Sequence, residues 1–248
     1  MILADYHVHT NFCDGKNTPE QMVLSAIDKG LQQVGLLAHS YVPFDKEGTL
    51  LPERVDEFIK TVNNLSEKYR SKILVLCGIE LDACSDYVPG FDYVIGSTHY
   101  WSVNGKNLPI DLSEELFVET VIKEFNGDFL LAVESYFESE KQVIAKTKAD
   151  IVGHFDIIAK YNKNNKYFDE DHPRYVNAYK SAIDELIKYN KLFEVNTGSI
   201  FKGMRYEPFP SLKIIDYIKK SGGKLVLSSD AHTADGVAFQ FDKWKDFL

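Results

Sequence analysis

The chain has 248 residues, 44% of them hydrophobic and 13% aromatic, and its 28 Lys and Arg residues against 37 Asp and Glu residues give a formal net charge of −9. This composition excludes a disordered chain, and the excess of carboxylates argues against a protein whose main partner is a nucleic-acid backbone. The apolar runs are too short to cross a bilayer, no leader-like segment is recognisable, and the three cysteines form neither a disulfide framework nor a zinc-finger pattern, so we expect a cytoplasmic protein.

Short apolar runs alternate along the chain with longer amphipathic stretches, a pattern that predicts strands followed by helices. The predicted strands span residues 3–9, 33–39, 73–80, 92–99, 129–134, 150–154, 191–196 and 224–230. The predicted helices span residues 18–30, 53–69, 113–127, 138–148, 173–189 and 210–223. The first helix has the clearest start, because Thr18 can cap it, Pro19 suits its first turn and Gln21 can reach back to the cap.

Seven or eight short strands, most of them followed by a helix, indicate one α/β unit over residues 1–248 with a mostly parallel sheet. Their number favours a closed or distorted barrel, with an open doubly wound sheet as the second choice. In either fold the loops at the C-terminal ends of the strands converge on one mouth, where active sites are built.

Six of the seven histidines fall at or just after the C-terminal end of a predicted strand, and carboxylates accompany them. The histidines are His7, His9, His39, His99, His154 and His232, and the carboxylates are Asp5, Asp14, Glu80, Glu194 and Asp230. This mixed set suits zinc, manganese or iron, and it offers more ligands than one ion needs. His7 and His9 point to the same face of a regular strand, so one ion can bind both. Asp230 and His232 have the same spacing, but His232 falls in the following loop and can serve a different ion.

Some of the neighbouring residues are expected to have other roles. Asp5 lies deeper than His7, so we expect it to support the site and not to bind an ion, whereas Glu194 is equally compatible with both roles. His172 precedes a predicted helix away from any strand end, which indicates a surface or capping residue. Cys13 has no partner arrangement typical of a nucleophile.

The motifs that carry these residues resemble the motif series of the PHP (polymerase and histidinol phosphatase) superfamily. They are His7-Val8-His9-Thr10 with Asp14-Gly15, His39, Gly78-Ile79-Glu80, Ser97-Thr98-His99, Gly153-His154-Phe155-Asp156, Glu194-Val195-Asn196-Thr197 and Ser229-Asp230-Ala231-His232. Their order covers nearly the whole chain. The length and the Gly-His-Phe-Asp and Glu-Val-Asn-Thr segments are similar to the histidinol-phosphate phosphatase branch.

The resemblance implies a distorted (β/α)7 barrel with a trinuclear metal site at the C-terminal ends of the strands. It assigns His7, His9, Glu80 and Asp230 to the first ion, adds His99 and His154 around a second ion that shares Glu80, and gives Asp14, His39 and His232 to the third. Glu80 suits a bridging position because a carboxylate has two oxygens to share, whereas a neutral imidazole has one free nitrogen. Ala38 stands where related proteins often have an acidic residue.

A multinuclear site of this kind predicts a phosphomonoesterase in which metal-activated hydroxide attacks phosphorus. Arg205 and the weaker candidate Lys160 are predicted to hold the phosphoryl oxygens. Glu80, Asp230 and His232 form the candidate catalytic set, with Asp230 or His232 as the hypothetical acid for the leaving group.

The residues alone predict a small phosphate monoester as substrate, and the resemblance implies hydrolysis of L-histidinol phosphate to L-histidinol and phosphate in histidine biosynthesis. Tyr136, Tyr161 and Phe201 are aromatic residues available to such a substrate.

Three alternatives remain open. Another PHP-type phosphoesterase, acting on phosphotyrosine or a nucleotide, would share every ligand. An amidohydrolase-type C–N hydrolase would use a similar His-x-His, but with fewer ligands and often a modified bridging lysine. A non-catalytic metal-binding module would hold ions without turnover. No nucleic-acid or membrane partner is expected, and the oligomeric state stays open.

Overall fold

A computed structural model describes residues 3–44 and 46–248 of the chain. The strands are β1 (Ala4–His9), β2 (Gln33–Leu37), β3 (Leu74–Asp82), β4 (Tyr93–Ser97), β5 (Tyr100–Val103), β6 (Lys106–Pro109), β7 (Ile151–Val152), β8 (Leu192–Asn196) and β9 (Lys224–Ser228). The α-helices are α1 (Pro19–Asp28), α2 (Val55–Tyr69), α3 (Glu114–Glu124), α4 (Phe129–Glu140), α5 (Val143–Thr147), α6 (Pro173–Leu186), α7 (Gly198–Phe201), α8 (Leu212–Lys220) and α9 (Phe241–Trp244). Short 3₁₀ segments span Pro52–Arg54, Ile157–Ala159, Ile187–Tyr189, Ala234–Gly236 and Lys245–Phe247.

Within the described residues, seven parallel strands form one sheet in the order β1-β2-β3-β4-β7-β8-β9. The sheet curls back on itself, because His9 N donates to Ala231 O (2.9 Å) and Ala231 N donates to His7 O (3.1 Å), which joins β1 to the segment after β9. This closure confirms the distorted barrel and excludes the open doubly wound sheet. None of the helices in the described part of the chain has the length and apolarity needed to cross a membrane.

The predicted helix starts are confirmed where a capping side chain was recognised. Thr18 and Gln21 form a reciprocal capping box at α1, with Pro19 in the first turn. His172 Nδ1 accepts a hydrogen bond from Arg174 N (3.1 Å) at the start of α6, which confirms its capping role.

The predicted strand over 129–134 is wrong, because these residues begin helix α4. Asp128 caps the helix by accepting a hydrogen bond from Leu131 N (3.0 Å), and the apolar run continues at helical spacing to bury Tyr136 and Phe137. The predicted helix over 138–148 is correspondingly divided between the end of α4 and the separate helix α5. A short apolar run does not distinguish a strand from a buried helix turn.

The antiparallel hairpin of β5 and β6 was not predicted. It turns at Asn104-Gly105, where both residues have positive φ (50° and 75°), the conformation that an Asn-Gly pair favours in a tight hairpin. The hairpin follows β4 directly and brings Tyr100 to the mouth of the barrel.

Tyr93 crosses the barrel over two glycines of neighbouring strands. Its hydroxyl donates to Tyr6 O (2.6 Å), and a Cβ on Gly35 or Gly78 would lie 2.1 or 2.2 Å from atoms of the tyrosine side chain. The glycines are therefore required by the close approach of a large ring to β2 and β3.

Replacing Gly78 with alanine should lower the free energy of unfolding by at least about 2 kcal/mol, since the new methyl group overlaps the Tyr93 ring. Urea denaturation would measure the loss. In a Tyr93→Leu background the same methyl group should cost much less. An equal cost in both backgrounds would show that the ring does not impose the glycine.

Candidate metal centre

The C-terminal ends of the barrel strands place the predicted histidines and carboxylates around one cavity of about 440 Å³. His7 and His9 end β1, Glu80 lies near the end of β3, and the remaining residues follow their strands in loops. The residues of the predicted ligand set that line the cavity are Asp14, His39, Glu80, His99, His154, Asp230 and His232. His7 and His9 are fully buried beneath them.

Glu80 lies at the centre of this cluster and is 1% exposed. Among the described residues, nitrogens of five imidazoles lie within 3.4 Å of its oxygens: His39 (2.8 Å), His154 (2.9 Å), His7 and His99 (3.3 Å each) and His9 (3.4 Å). Burial opposes ionisation, but positive charge on the nearest imidazoles holds the pKa of Glu80 well below its ordinary value. The carboxylate is therefore charged. Three of the imidazoles face its Oε2 and the other two face its Oε1.

The donor atoms fit divalent metal ions. In the described residues, three sets of donors each lie within 4.8 Å of one another: His9, Asp14, His39 and His232; His7, His9 and Asp230; and His39, Glu80 and His99. Glu80 Oε2 and Asp14 Oδ1 are buried and accept no well-formed hydrogen bond from the described residues, although imidazole nitrogens are close. Oxygens and nitrogens that face one another without hydrogen bonding are typical of ligands around a common ion.

These sets differ in one respect from the ligand assignment that the resemblance implies. His39 stands beside Glu80 and His99 in the third set, where the assignment has His154. His154 Nε2 nevertheless lies 2.9 Å from Glu80 Oε1, so both histidines adjoin the same carboxylate.

Glu194 supports the site from outside the ligand cluster. Its Oε1 lies 2.6 Å from His7 Nδ1, while its Oε2 accepts hydrogen bonds from His154 N (2.6 Å) and Asn196 Nδ2 (3.0 Å). With both oxygens engaged, Glu194 turns His7 Nε2 toward the cavity, the arrangement of an outer partner of a metal-binding histidine. The geometry therefore favours the supporting role that the sequence left open.

Asp5 also has the supporting role expected of it. The carboxylate is fully buried and accepts hydrogen bonds from Ser229 N (3.0 Å), Ser229 Oγ (2.5 Å) and Ala238 N (2.9 Å). It thereby holds the loop that carries Asp230 and His232.

That loop has an unusual backbone. Asp230 has a φ of +52°, which is uncommon for a residue other than glycine. Its carbonyl oxygen lies 3.0 Å from His232 Nδ1, and His232 Nε2 lies 3.1 Å from Asp14 Oδ2. The strained turn thus brings two donors from one short segment to the cavity.

The structure does not bring Arg205, the first candidate for phosphate binding, into this cavity. The Arg205 side chain is 6% exposed, and it donates to Ala159 O (3.1 Å), Glu170 Oε2 (3.3 Å) and Glu207 Oε1 (3.4 Å). It lines a second cavity and not the one that holds the metal ligands. Gly203, with a φ of +71°, redirects the chain just before it.

Lys160 and Lys202 both line the metal-ligand cavity. Lys160 Nζ donates to Asp111 O (2.7 Å) and Asp111 Oδ2 (3.0 Å), whereas Lys202 Nζ lies 3.7 Å from Asp230 Oδ2. Burial lowers the pKa of Lys202, but nearby carboxylates, Asp230 first among them, raise it above its ordinary value overall. Sequence reasoning selected Arg205, three residues further along the chain, and did not select Lys202.

The aromatic candidates do not line this cavity. The Tyr136 side chain is buried and donates to Phe155 O (3.0 Å), and Tyr161 donates to Asp111 O (2.6 Å). Phe201 packs edge-on against Phe239. The aromatic residues at the mouth are instead Tyr100 and Phe209.

Sequence comparisons relate this chain to one protein family. A family model described as "PHP domain" matches residues 5–198. The "Probable histidinol-phosphatase" of Schizosaccharomyces pombe is 25% identical over 98% of this chain and 84% of its own length, and the "Histidinol-phosphatase" of Lactococcus lactis is 26% identical over 94% and 86%.

Solved structures show the same fold. A crystal structure from Listeria monocytogenes, assigned as a candidate histidinol phosphatase, covers 97% of this chain and 99% of its own, with a TM-score of 0.83 and 23% identity. The histidinol phosphate phosphatase of Lactococcus lactis, complexed with zinc, L-histidinol and phosphate, covers 99% and 92%, with a TM-score of 0.69 and 21% identity. With the family model covering most of its length, this chain belongs to the PHP domain family.

Proposed function

We propose that this protein is a metal-dependent phosphomonoesterase that hydrolyses L-histidinol phosphate to L-histidinol and phosphate, as a cytoplasmic enzyme of histidine biosynthesis. The observation that carries the proposal is the convergence of the nine predicted ligands, six histidines and three carboxylates, on one cavity that also contains two lysines. Relatives that match nearly the whole chain carry the histidinol-phosphatase name, which supports the choice of substrate.

The proposed cofactor is a set of three divalent ions, zinc, manganese or iron. His7, His9, Glu80 and Asp230 would hold the first, Glu80, His99 and His154 the second, and Asp14, His39 and His232 the third. Such ions, when bound, supply Lewis acidity toward phosphoryl oxygens and lower the pKa of water.

The chain's own residues bind and orient the ester. Lys202 and Lys160 bring positive charge to the cavity, where they can hold non-bridging phosphoryl oxygens. Asp230 and His232 stand at the same mouth and are the proposed donors of a proton to the departing alkoxide. Burial raises the pKa of Asp230, but Lys202, 3.7 Å away, and the nearby imidazoles hold it well below its ordinary value, which makes His232 the favoured proton donor of the two.

The rest of the cavity suits a cationic amino alcohol. Asp111 and Glu47 supply carboxylates, while Leu112, Ile157 and Phe209 supply apolar surface. The charge of −9 makes a nucleic-acid substrate less favourable than a small ester.

The proposed function is tested by phosphate release from L-histidinol phosphate, p-nitrophenyl phosphate and a phosphotyrosine peptide, with metal-analysed protein. Selective turnover of L-histidinol phosphate that is lost in His9→Ala supports the proposal. Turnover without preference would overturn the substrate, and no release from any ester by metal-loaded protein would overturn the phosphatase.

Replacing Lys202 with methionine should raise the KM for L-histidinol phosphate by about 10-fold or more, since a charge-assisted hydrogen bond to the phosphoryl group is lost. Steady-state kinetics with L-histidinol phosphate and with p-nitrophenyl phosphate would measure the change. Lys188→Met, which removes an exposed charge paired with Glu185, is the matched control and should leave KM unaltered. An unchanged KM in Lys202→Met would exclude Lys202 from phosphate binding.

A further inference from the structure

Several histidines of the candidate metal centre have an oxygen within hydrogen-bond distance of Nδ1, the ring nitrogen on the side away from the cavity. The pairs are His7 with Glu194 Oε1 (2.6 Å), His232 with Asp230 O (3.0 Å) and His99 with Asp82 Oδ2 (3.2 Å). In each pair the other ring nitrogen, Nε2, faces a carboxylate of the cavity. Asp82 is the member of this group that sequence reasoning did not select.

Asp82 is placed for this contact by its strand. It is the last residue of β3 and lies two positions after Glu80, so both side chains project from the same face of the strand. Asp82 is 3% exposed, and its Oδ2 accepts a hydrogen bond from His99 N (2.8 Å) as well as lying 3.2 Å from His99 Nδ1. One oxygen therefore contacts both the backbone and the ring of His99.

The remaining contacts of Asp82 hold the carboxylate itself in place. Oδ1 accepts a hydrogen bond from Cys84 N (2.8 Å), and Asp82 N donates to Ser40 Oγ (3.0 Å). With Oδ1 bonded to Cys84 N and Oδ2 bonded to His99 on the side away from its Nε2, Asp82 is not positioned as a ligand. It belongs to none of the donor sets found in the described residues.

We propose that Asp82 is a positioning residue for His99. By accepting a hydrogen bond from Nδ1–H, it selects the tautomer whose Nε2 lone pair is free, and Nε2 lies 3.3 Å from Glu80 Oε1. The proposal rests on the metal-binding role proposed for the cluster. Loss of such an outer partner typically weakens metal binding by about 10- to 100-fold.

The test is zinc binding by metal-free full-length protein, measured by competition with a chromophoric chelator and by metal content after dialysis at fixed free zinc. Asp82→Ala should weaken zinc binding by about 10- to 100-fold. Asp82→Asn should weaken it less, because the asparagine oxygen can still accept from His99 Nδ1–H. Asp92→Asn is the matched control, since Asp92 Oδ2 accepts from Cys77 N (2.8 Å) on the same strand without touching a histidine.

A second measurement separates positioning from a general structural effect. Nitrogen-15 spectra of the metal-free protein, recorded at a pH where the His99 ring is neutral, should show His99 protonated at Nδ1, with that signature lost in Asp82→Ala and retained in Asp82→Asn. Glu194→Gln should perturb His7 and leave His99 unchanged. Unaltered zinc affinity and an unaltered His99 tautomer in Asp82→Ala would overturn the proposal, whereas failure of the unmodified protein to bind zinc would overturn the proposed metal centre itself.

Discussion

Replacing Glu80 with glutamine should lower turnover of the phosphate ester by more than 100-fold, beyond the effect of about 10- to 100-fold expected for an outer partner. Glu80 is buried among five imidazoles, three of which face its Oε2 and two its Oε1. Glutamine keeps the shape but removes the charge. It also replaces one acceptor oxygen with an amide group that cannot accept or bind an ion.

The measurement is kcat together with bound metal per chain, because loss of ions should accompany loss of turnover. Glu140→Gln is the matched control, since Glu140 is fully buried at the end of α4. Burial raises the pKa of Glu140 to about 8, so near pH 7 its side chain is mainly neutral and an amide resembles it. If Glu80→Gln retained full metal content and more than a tenth of kcat, the central role of this carboxylate would be disproved.

Much of the barrel could be predicted because parallel strands that are buried on both faces have short, continuous apolar runs in the sequence. The run of Val34, Leu36 and Leu37 followed by His39 is an example, since the apolar part is buried in the sheet and the polar residue comes where the strand ends. The same rule failed at 129–134, because the position of a helix cap at Asp128 decides between helix and strand there.

The ligand cluster was predictable for a topological reason. A parallel barrel brings the ends of distant strands to one rim, so a histidine after each strand becomes part of one site whatever its sequence separation. Asp82 could have been found by the same logic, because it shares the parity of Glu80 on β3. The pattern was incomplete because the predicted strand ended at Glu80.

The basic residues show where sequence reasoning loses information. Lys202 and Arg205 lie in one loop, and only the path of that loop decides which of them reaches the cavity. The short helix α7 (Gly198–Phe201) carries Lys202 to the mouth, and the positive φ of Gly203 then turns the chain so that Arg205 is buried behind it. Neither the position of this helix nor the direction of the chain after Gly203 follows from residue type alone.

Replacing Arg205 with methionine should destabilise the fold by about 3–5 kcal/mol, the cost typical of removing one partner from a buried charged network. The guanidinium lies between Glu170 and Glu207, donates to Ala159 O and covers the ring of Phe209 at 5.4 Å. Methionine restores apolar contact but leaves the carboxylates without their cation.

The loss for Arg205→Met should grow with pH. Burial raises the pKa of Asp156 to about 7, and the charge of Arg205 opposes that rise. Because the pKa of Asp156 is higher in the folded state than in the unfolded state, the protein loses stability as pH rises from the unfolded-state pKa to the folded-state pKa. Without Arg205 the folded-state pKa of Asp156 moves higher, so this loss continues beyond pH 7. Urea denaturation at pH 6 and pH 8 measures the difference.

Lys213→Met, which breaks an exposed pair with Asp171, is the control and should cost no more than about 1 kcal/mol. A stable Arg205→Met variant with a tenfold higher KM for the phosphate ester would show that Arg205 binds phosphate. An unaltered KM in a destabilised variant would show that Arg205 stabilises the loops behind Lys160 and Lys202.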